Sequence, residues 1–344
     1  MRVSRPGGAS RVVSARAASL AALGAAALLV LVPSVPPSGA ATRHHRAQPP
    51  RPYAPGVYVG TGNPTGANVF GLQVGARMQY AMDFLNGSTW ATITNPSWQL
   101  SQWNGSGYSM IWAVPMLPDQ GASLAAGARG AYDHYFASLS RALVAGGQGN
   151  SIIRIGWEFN GIWFPWGAIG HPTQFIAYWR HIVTAMRTVP GANFKFVWNP
   201  DRGDFGGGDL ATYYPGNAYV DYVALDVYDE EWQHYPGARA EVQQVETGPY
   251  GLDWLASFAA AHHKMMAFPE WGLGWGTCKH GAPVDASGGV CGGDNPQFIE
   301  GTTQWFEAHN VAVVAYWDYG TSALTATKNR LTRAALRNYW ARPR

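Results

Sequence analysis

The chain has 344 residues, of which 13% are charged, with 16 tryptophans, 17 tyrosines and a formal net charge of +3. That length suits one large domain or two small ones. Arg2, Arg5, Arg11 and Arg16 have no acidic neighbour within residues 1–40, and removing that segment takes the net charge to −1. The overall charge therefore gives no ground for binding nucleic acid or an anionic membrane.

The four arginines precede an apolar run from about Leu20 to Val32 and the small residues Ser38-Gly39-Ala40. This is the pattern of a secretory signal over residues 1–40, cleaved near Ala40 or Ala41. The run of about a dozen residues is shorter than the ~20 a membrane span needs. The expected product is secreted and extracellular, with no membrane attachment after cleavage. Residues 41–54, with Arg43, Arg46 and Arg51 among histidines and prolines, read as a flexible leader.

From Gly56 the chain alternates. Short apolar runs read as strands at Gly56–Gly60, Tyr80–Leu85, Ser109–Pro115, Ile152–Ile155, Phe194–Pro200, Tyr219–Tyr228, Met265–Gly272 and Val311–Tyr319. Helical spacing of apolar residues spans Ser123–Val144, closed by Gly146-Gly147, and recurs after His171-Pro172. Further helices are expected at Gly251–His262, from Asn295-Pro296 to His309, and at about Lys328–Tyr339. Eight apolar strands separated by helices or room for them predict a parallel sheet covered on both faces. They fit a single-domain α/β fold, a (β/α)8 TIM barrel over residues 55–340, better than an open doubly wound sheet. No Gly-rich phosphate fingerprint follows the first strand.

Polar and aromatic residues gather at the C-terminal ends of the strands, where a barrel carries its active site. Glu158 ends the fourth strand and stands among Trp157, Asn160, Trp163 and Trp166; Glu270 ends the seventh. In a barrel these ends face each other across the mouth, and two carboxylates flanking a bond are the minimum for glycoside hydrolysis. Tryptophans beside Gly, Pro and Asn in loops suit the apolar faces of sugar rings.

The run Glu158-Phe159-Asn160-Gly161-Ile162-Trp163-Phe164-Pro165-Trp166, with Pro269-Glu270-Trp271-Gly272 and more weakly Val197-Trp198-Asn199-Pro200 and Tyr316-Trp317, resembles glycoside hydrolase family 26. The resemblance implies a retaining endo-glycanase of the clan with catalytic acids after strands four and seven. Glu158 would be the acid/base and Glu270 the nucleophile. Tyr228 would hydrogen-bond the nucleophile, Trp317 would floor the sugar subsite at the scissile bond, and Trp163 and Trp166 would line neighbouring subsites. Trp157, Asn160 and Trp275 complete the expected substrate contacts, and Arg154 is expected to support Glu158. Trp157 departs from the pattern, which usually has histidine there. β-Mannan is the commonest activity of the family; mixed-linkage β-glucan, xylan or an exopolysaccharide is the alternative, and a non-catalytic glycan-binding barrel a third reading. The partner is a polysaccharide, the protein is expected to be a monomer, and no cofactor is implied.

Cys278 and Cys291, thirteen residues apart, read as a disulfide in an oxidising compartment. A zinc site with His280 is the alternative, although the spacing is no recognised one. Asp226, Asp229, Glu230 and Glu231 read as a solvated acidic loop, with calcium as the alternative. No metal site is expected in the catalytic machinery.

Overall fold

The computed structural model describes residues 50–229, 238–274, 293–324, 327 and 329–342. The expected signal segment, most of the expected leader, Glu230, Glu231, Trp275, Cys278, His280 and Cys291 lie outside the described residues.

Nine strand segments form one parallel sheet: β1 (Ala54–Tyr58), β2 (Tyr80–Phe84), β3 (Ser109–Val114), β4 (Ile152–Ile155), β5 (Lys195–Trp198), β6 (Tyr222–Ala224), β7 (Val227–Asp229), β8 (Met265–Leu273) and β9 (Val311–Trp317). Each of β1 to β5 pairs with the next, β1 also pairs with β9, and β9 with β8. The pairing of β6 with β8 closes the ring. Both β6 and β7 pair with β8, Tyr222 against Met265 and Val227 against Trp271, so they are two halves of one stave. The protein is thus the expected eight-stave (β/α)8 barrel, its sixth stave broken at Leu225-Asp226.

Strand alternation sorts the side chains into two cores. Ala54, Met82, Ile111, Ile152, Val197 and Ala267 belong to a small cluster inside the barrel, while Val57, Ile153, Ile155, Phe196 and Phe268 join the larger cluster outside it. The interior is tapered by small residues, as a filled barrel requires. On β4 the inward positions are Ile152 and then Arg154, so the alternation that buries an isoleucine at the bottom carries a guanidinium to the top.

Helices cover the outside. His171 precedes the helix Pro172–Arg187, with Pro172 in its first turn, and the Asn295 side chain accepts from Phe298 N to cap Pro296–Ala308. The helix expected over Ser123–Val144 is two pieces, Leu124–Gly127 and Asp133–Ala145. Gly127 and Gly130 lie at the interruption, and glycine is the poorest helix former after proline. Among the described residues no helix is long and apolar enough to cross a membrane.

One irregularity positions the site. Along β8 and β9, Phe268 pairs with Val314 but Trp271 pairs with Tyr316, so β8 carries one residue more than its neighbour around Pro269-Glu270. Such a bulge bends a strand and re-aims a side chain, and Pro269 has no N–H to give to the ladder.

Candidate active site

Glu158 sits in the turn that follows β4. Its φ is +52°, in the left-handed region, which costs a non-glycine residue about 1–2 kcal/mol. The turn is held in place: Glu158 N donates to Asn199 O at 2.8 Å, and Glu158 O accepts from Gly161 N at 3.0 Å. Asn160 fastens the next step to the loop after β5. Its Nδ2 donates to Asp201 O and its Oδ1 accepts from Asp201 N, both at 2.8 Å. Trp163 then folds back, and its Nε1 donates to Glu158 Oε2 at 2.5 Å. A Cβ on Gly161 would lie 2.3 Å from the Trp163 ring, so only glycine leaves room for it.

Arg154 is fully buried beneath the pair. Its Nη1 donates to Glu270 Oε1, its Nη2 to Asp226 Oδ2, and its Nε to Asn199 Oδ1 at 2.6 Å. Asn199 Nδ2 in turn donates to Asp226 Oδ1 at 3.2 Å. Glu270 also accepts from the Tyr228 hydroxyl at 2.7 Å. The strand ends expected to oppose each other therefore do: Glu158, Asp226 and Glu270 each present an oxygen within 4.8 Å of the other two. Among the described residues these carboxylates are close enough together to share a metal ion, but Arg154 already lies between two of them.

The environments of the acids differ. Burial pushes the Glu158 carboxyl up to about 7, with the Glu270 charge adding to it; Arg154 and hydrogen bonds from Trp163 and Asp226 oppose the rise. Burial likewise raises Asp226 well above the usual carboxylate range against the pull of Arg154. Tyr228 is raised well above a free phenol by burial and then by the neighbouring Glu270 charge, so it stays a hydroxyl that can donate. Glu270 accepts from two donors, Arg154 and Tyr228. Two carboxyl groups in contrasting environments are what acid/base and nucleophilic roles require.

Of the aromatic residues at the site, Trp163 is exposed, while Trp317, Trp157 and Trp166 are buried. Trp317 stacks on Tyr58 with ring centroids 4.2 Å apart, and Tyr228 meets it edge-on at 6.2 Å. Trp163 is 46% exposed and packs its ring edge-on against Phe205. Trp166, by contrast, is buried: it stacks on Phe164 and donates Nε1 to Trp157 O at 2.7 Å. Trp157 is buried as well, against Phe84, Phe164 and Trp166, with the Arg154 guanidinium 5.4 Å from its ring centre. Arg154 supports Glu270 by direct contact and reaches Glu158 through its charge.

The described half of the acidic cluster is not a solvated loop. Asp226 and Asp229 are both fully buried, and Asn295 Nδ2 donates to Asp229 at 3.0 Å and to Glu241 at 3.1 Å. Asp226 is the site residue that reading the sequence missed. The signal was present: in Ala224-Leu225-Asp226-Val227-Tyr228, a period of two puts Asp226 on the same face as Ala224 and Tyr228.

A (β/α)8 barrel with a carboxylate pair across its mouth, one acid raised and one held by arginine and tyrosine, has the build of a glycoside hydrolase. Residues 148–250, the segment containing Glu158, Asp226 and Tyr228, match the model of glycosyl hydrolase family 26. Over 119 residues it is 32% identical to endoglucanase H of Acetivibrio thermocellus; the match covers 30% of this chain and 13% of the length of that relative. The fold is similar to that of a family 26 β-mannanase from Bacteroides ovatus (TM-score 0.53, 14% identity, 83% of this chain and 88% of that one). It is also similar to a family 26 protein from Muricauda sp. (TM-score 0.56, 15% identity, 85% and 86% of the two chains).

Proposed function

We propose that this protein is a secreted endo-glycanase that cleaves β-1,4-linked polysaccharide with retention of configuration, β-mannan being the first substrate class. One observation carries the reading: Glu158 and Glu270 bring carboxylate oxygens within 4.8 Å. Retaining pairs stand ~5–5.5 Å apart, whereas inverting pairs are separated by roughly 6.5–9.5 Å to admit a water.

In this mechanism Glu158, protonated, gives its proton to the glycosidic oxygen as Glu270 attacks the anomeric carbon. The leaving chain departs and a glycosyl ester on Glu270 remains. Glu158, now a carboxylate, takes a proton from water, which attacks the same carbon and releases the sugar. Tyr228 and Arg154 hold Glu270 in line from its two oxygens. Trp317 floors the subsite of the reacting sugar, and Trp163 orients Glu158 while flanking the leaving-group side.

Mannan comes first because it is the commonest activity of the family that the chain resembles; the Glu158 segment itself is similar to enzymes of more than one specificity. A β-glucan is the second reading, favoured by the match to an endoglucanase. Secretion rests on the signal pattern of residues 1–40, with residues 41–54 as leader, residues 55–340 as catalytic domain and a Cys278–Cys291 disulfide suited to an oxidising compartment.

The test is hydrolysis of mannan, β-glucan and xylan followed by reducing ends, with proton NMR of the first product. The expected product keeps the β configuration. Glu158→Ala and Glu270→Ala should each lose at least the 100-fold or so that general acid catalysis contributes. Inversion, or wild-type turnover in either variant, sinks the mechanism.

A further inference from the structure

Three large aromatic side chains are markedly exposed among the described residues: Trp98 at 55%, Tyr319 at 50% and Trp163 at 46%. All three border the mouth of the barrel. Trp163 holds Glu158. The other two lie across the mouth from it, and the hydrolytic chemistry described above does not use them.

Both rest on the same short turn, Gly60-Thr61-Gly62, which follows β1. A Cβ on Gly60 would be 3.3 Å from the Tyr319 ring, and one on Gly62 would be 2.6 Å from the Trp98 ring. The turn is a firm base for them. Gly62 N donates to Asp83 Oδ2 at 2.8 Å, the same oxygen takes the Trp103 indole N–H at 2.6 Å, and Asn63 Nδ2 donates back to Val59 O at 3.1 Å. Tyr319 continues the aromatic row of the reacting subsite. Its ring centre is 5.7 Å from Tyr58 and 6.3 Å from Trp317.

We infer that Trp98 and Tyr319 form an outlying sugar platform, which stacks pyranose rings of the glycan on the side away from the leaving group. The inference rests on the glycanase reading above. Glu158 protonates the leaving oxygen, so the departing half of the chain lies on its side of the mouth, with Trp163. The half that becomes bound to Glu270 runs over Trp317 and on toward β1, where the two rings wait. Half-exposed indole and phenol rings backed by a pinned turn offer flat apolar faces with little ordering left to do, and a β-linked sugar chain presents C–H faces of matching size. A platform this far from the cleavage point selects long chains over short ones.

The experiment measures kcat/KM of wild type, Trp98→Ala, Tyr319→Ala and the double variant on β-1,4-manno-oligosaccharides and β-1,4-gluco-oligosaccharides of three to six units. Both residues are half exposed, and thermal melts check that the variants fold. The expected result is a loss that grows with chain length, reaching about tenfold on the hexasaccharide in the double variant, with Trp98→Phe recovering most of it. A loss that is the same at every length, or no loss, overturns the platform. Calorimetric affinity for the hexasaccharides in a Glu158→Gln background separates this from failure of the glycanase reading. Should wild type cleave nothing, weaker binding in Trp98→Ala still supports the platform and unchanged binding removes it.

Discussion

The indole N–H of Trp163 donates to Glu158 over 2.5 Å, while the six-membered ring of the same tryptophan covers the ground where a side chain on Gly161 would have to stand. One exposed residue thus connects the charge state of the acid to a glycine two positions away. Its hydrogen bond favours the ionised form of Glu158 and works against the burial that lifts the group to about 7. Replacing Trp163 by Phe removes that donor, so the Glu158 carboxyl should rise further. The alkaline limb of the kcat/KM profile, which follows the protonated acid of the free enzyme, should then move to higher pH. A limb that stays put or moves down would show that Trp163 does not tune the acid.

Gly161→Ala tests the same relationship from the other side. The new methyl meets the Trp163 ring, which has to swing away from Glu158. We expect kcat/KM to drop roughly 10–100-fold, the range for a misplaced catalytic group. The melting temperature should change little, because Trp163 is half exposed.

Arg154 touches both Asp226 and Glu270, all three buried. Removing one partner from such a set costs about 3–5 kcal/mol, because the charges left behind have no compensation. Arg154→Met should lower the melting temperature by on the order of 10 °C and abolish turnover. Adding Asp226→Asn should restore part of the stability but none of the activity, and additive losses in the double variant would argue against a shared guanidinium.

Glu158 also carries a stability signature. Its folded-state value is raised above the ordinary carboxylate, so the unfavourable burial of its charge is absent below about pH 4.5 and develops as pH rises toward 7. Glu158→Gln should therefore melt near wild type at pH 4 and above it at pH 8, the gap opening between the two. A gap that closes with rising pH would reverse the sign and reject the raised acid. The left-handed backbone at this residue adds a cost of its own that does not change with pH.

The barrel and its opposed glutamates were legible because each depends on local patterns: apolar runs, and acids at their ends. What escaped was set by partners distant in sequence. Tyr219–Tyr228 reads as one strand, yet the ladder breaks at Leu225-Asp226, beside an arginine some seventy residues earlier. Asp226 looked like part of an acidic loop because neighbouring acids follow it, and only the inward face it shares with Tyr228 reveals its place. The helices Pro64–Val74, Trp90–Thr94 and Ser97–Trp103 went unread, two of them too short to establish a period and the first weakly amphipathic. Asn160 and Trp166 show a further limit. Polar and aromatic residues next to a reactive acid look alike from sequence whether they face a ligand or, as here, fasten the loop that carries the acid.

The extra residue in β8 has an evolutionary corollary. By plain alternation from Ala267 on the inside and Phe268 on the outside, position 270 would face the helices; the bulge reverses the parity, so that Glu270 meets Arg154 and Tyr228 while Trp271 packs outward against Phe306 and Tyr316. The extra residue is therefore absorbed at Pro269-Glu270, opposite the inward Ala315, and leaves the outward places of Phe268 and Trp271 as they are. Deleting Pro269 would remove the extra residue and, by alternation from the outward Phe268, still leave Glu270 facing the mouth and Trp271 facing the helices, so the bulge is a place where the strand can change length without turning the carboxylate away.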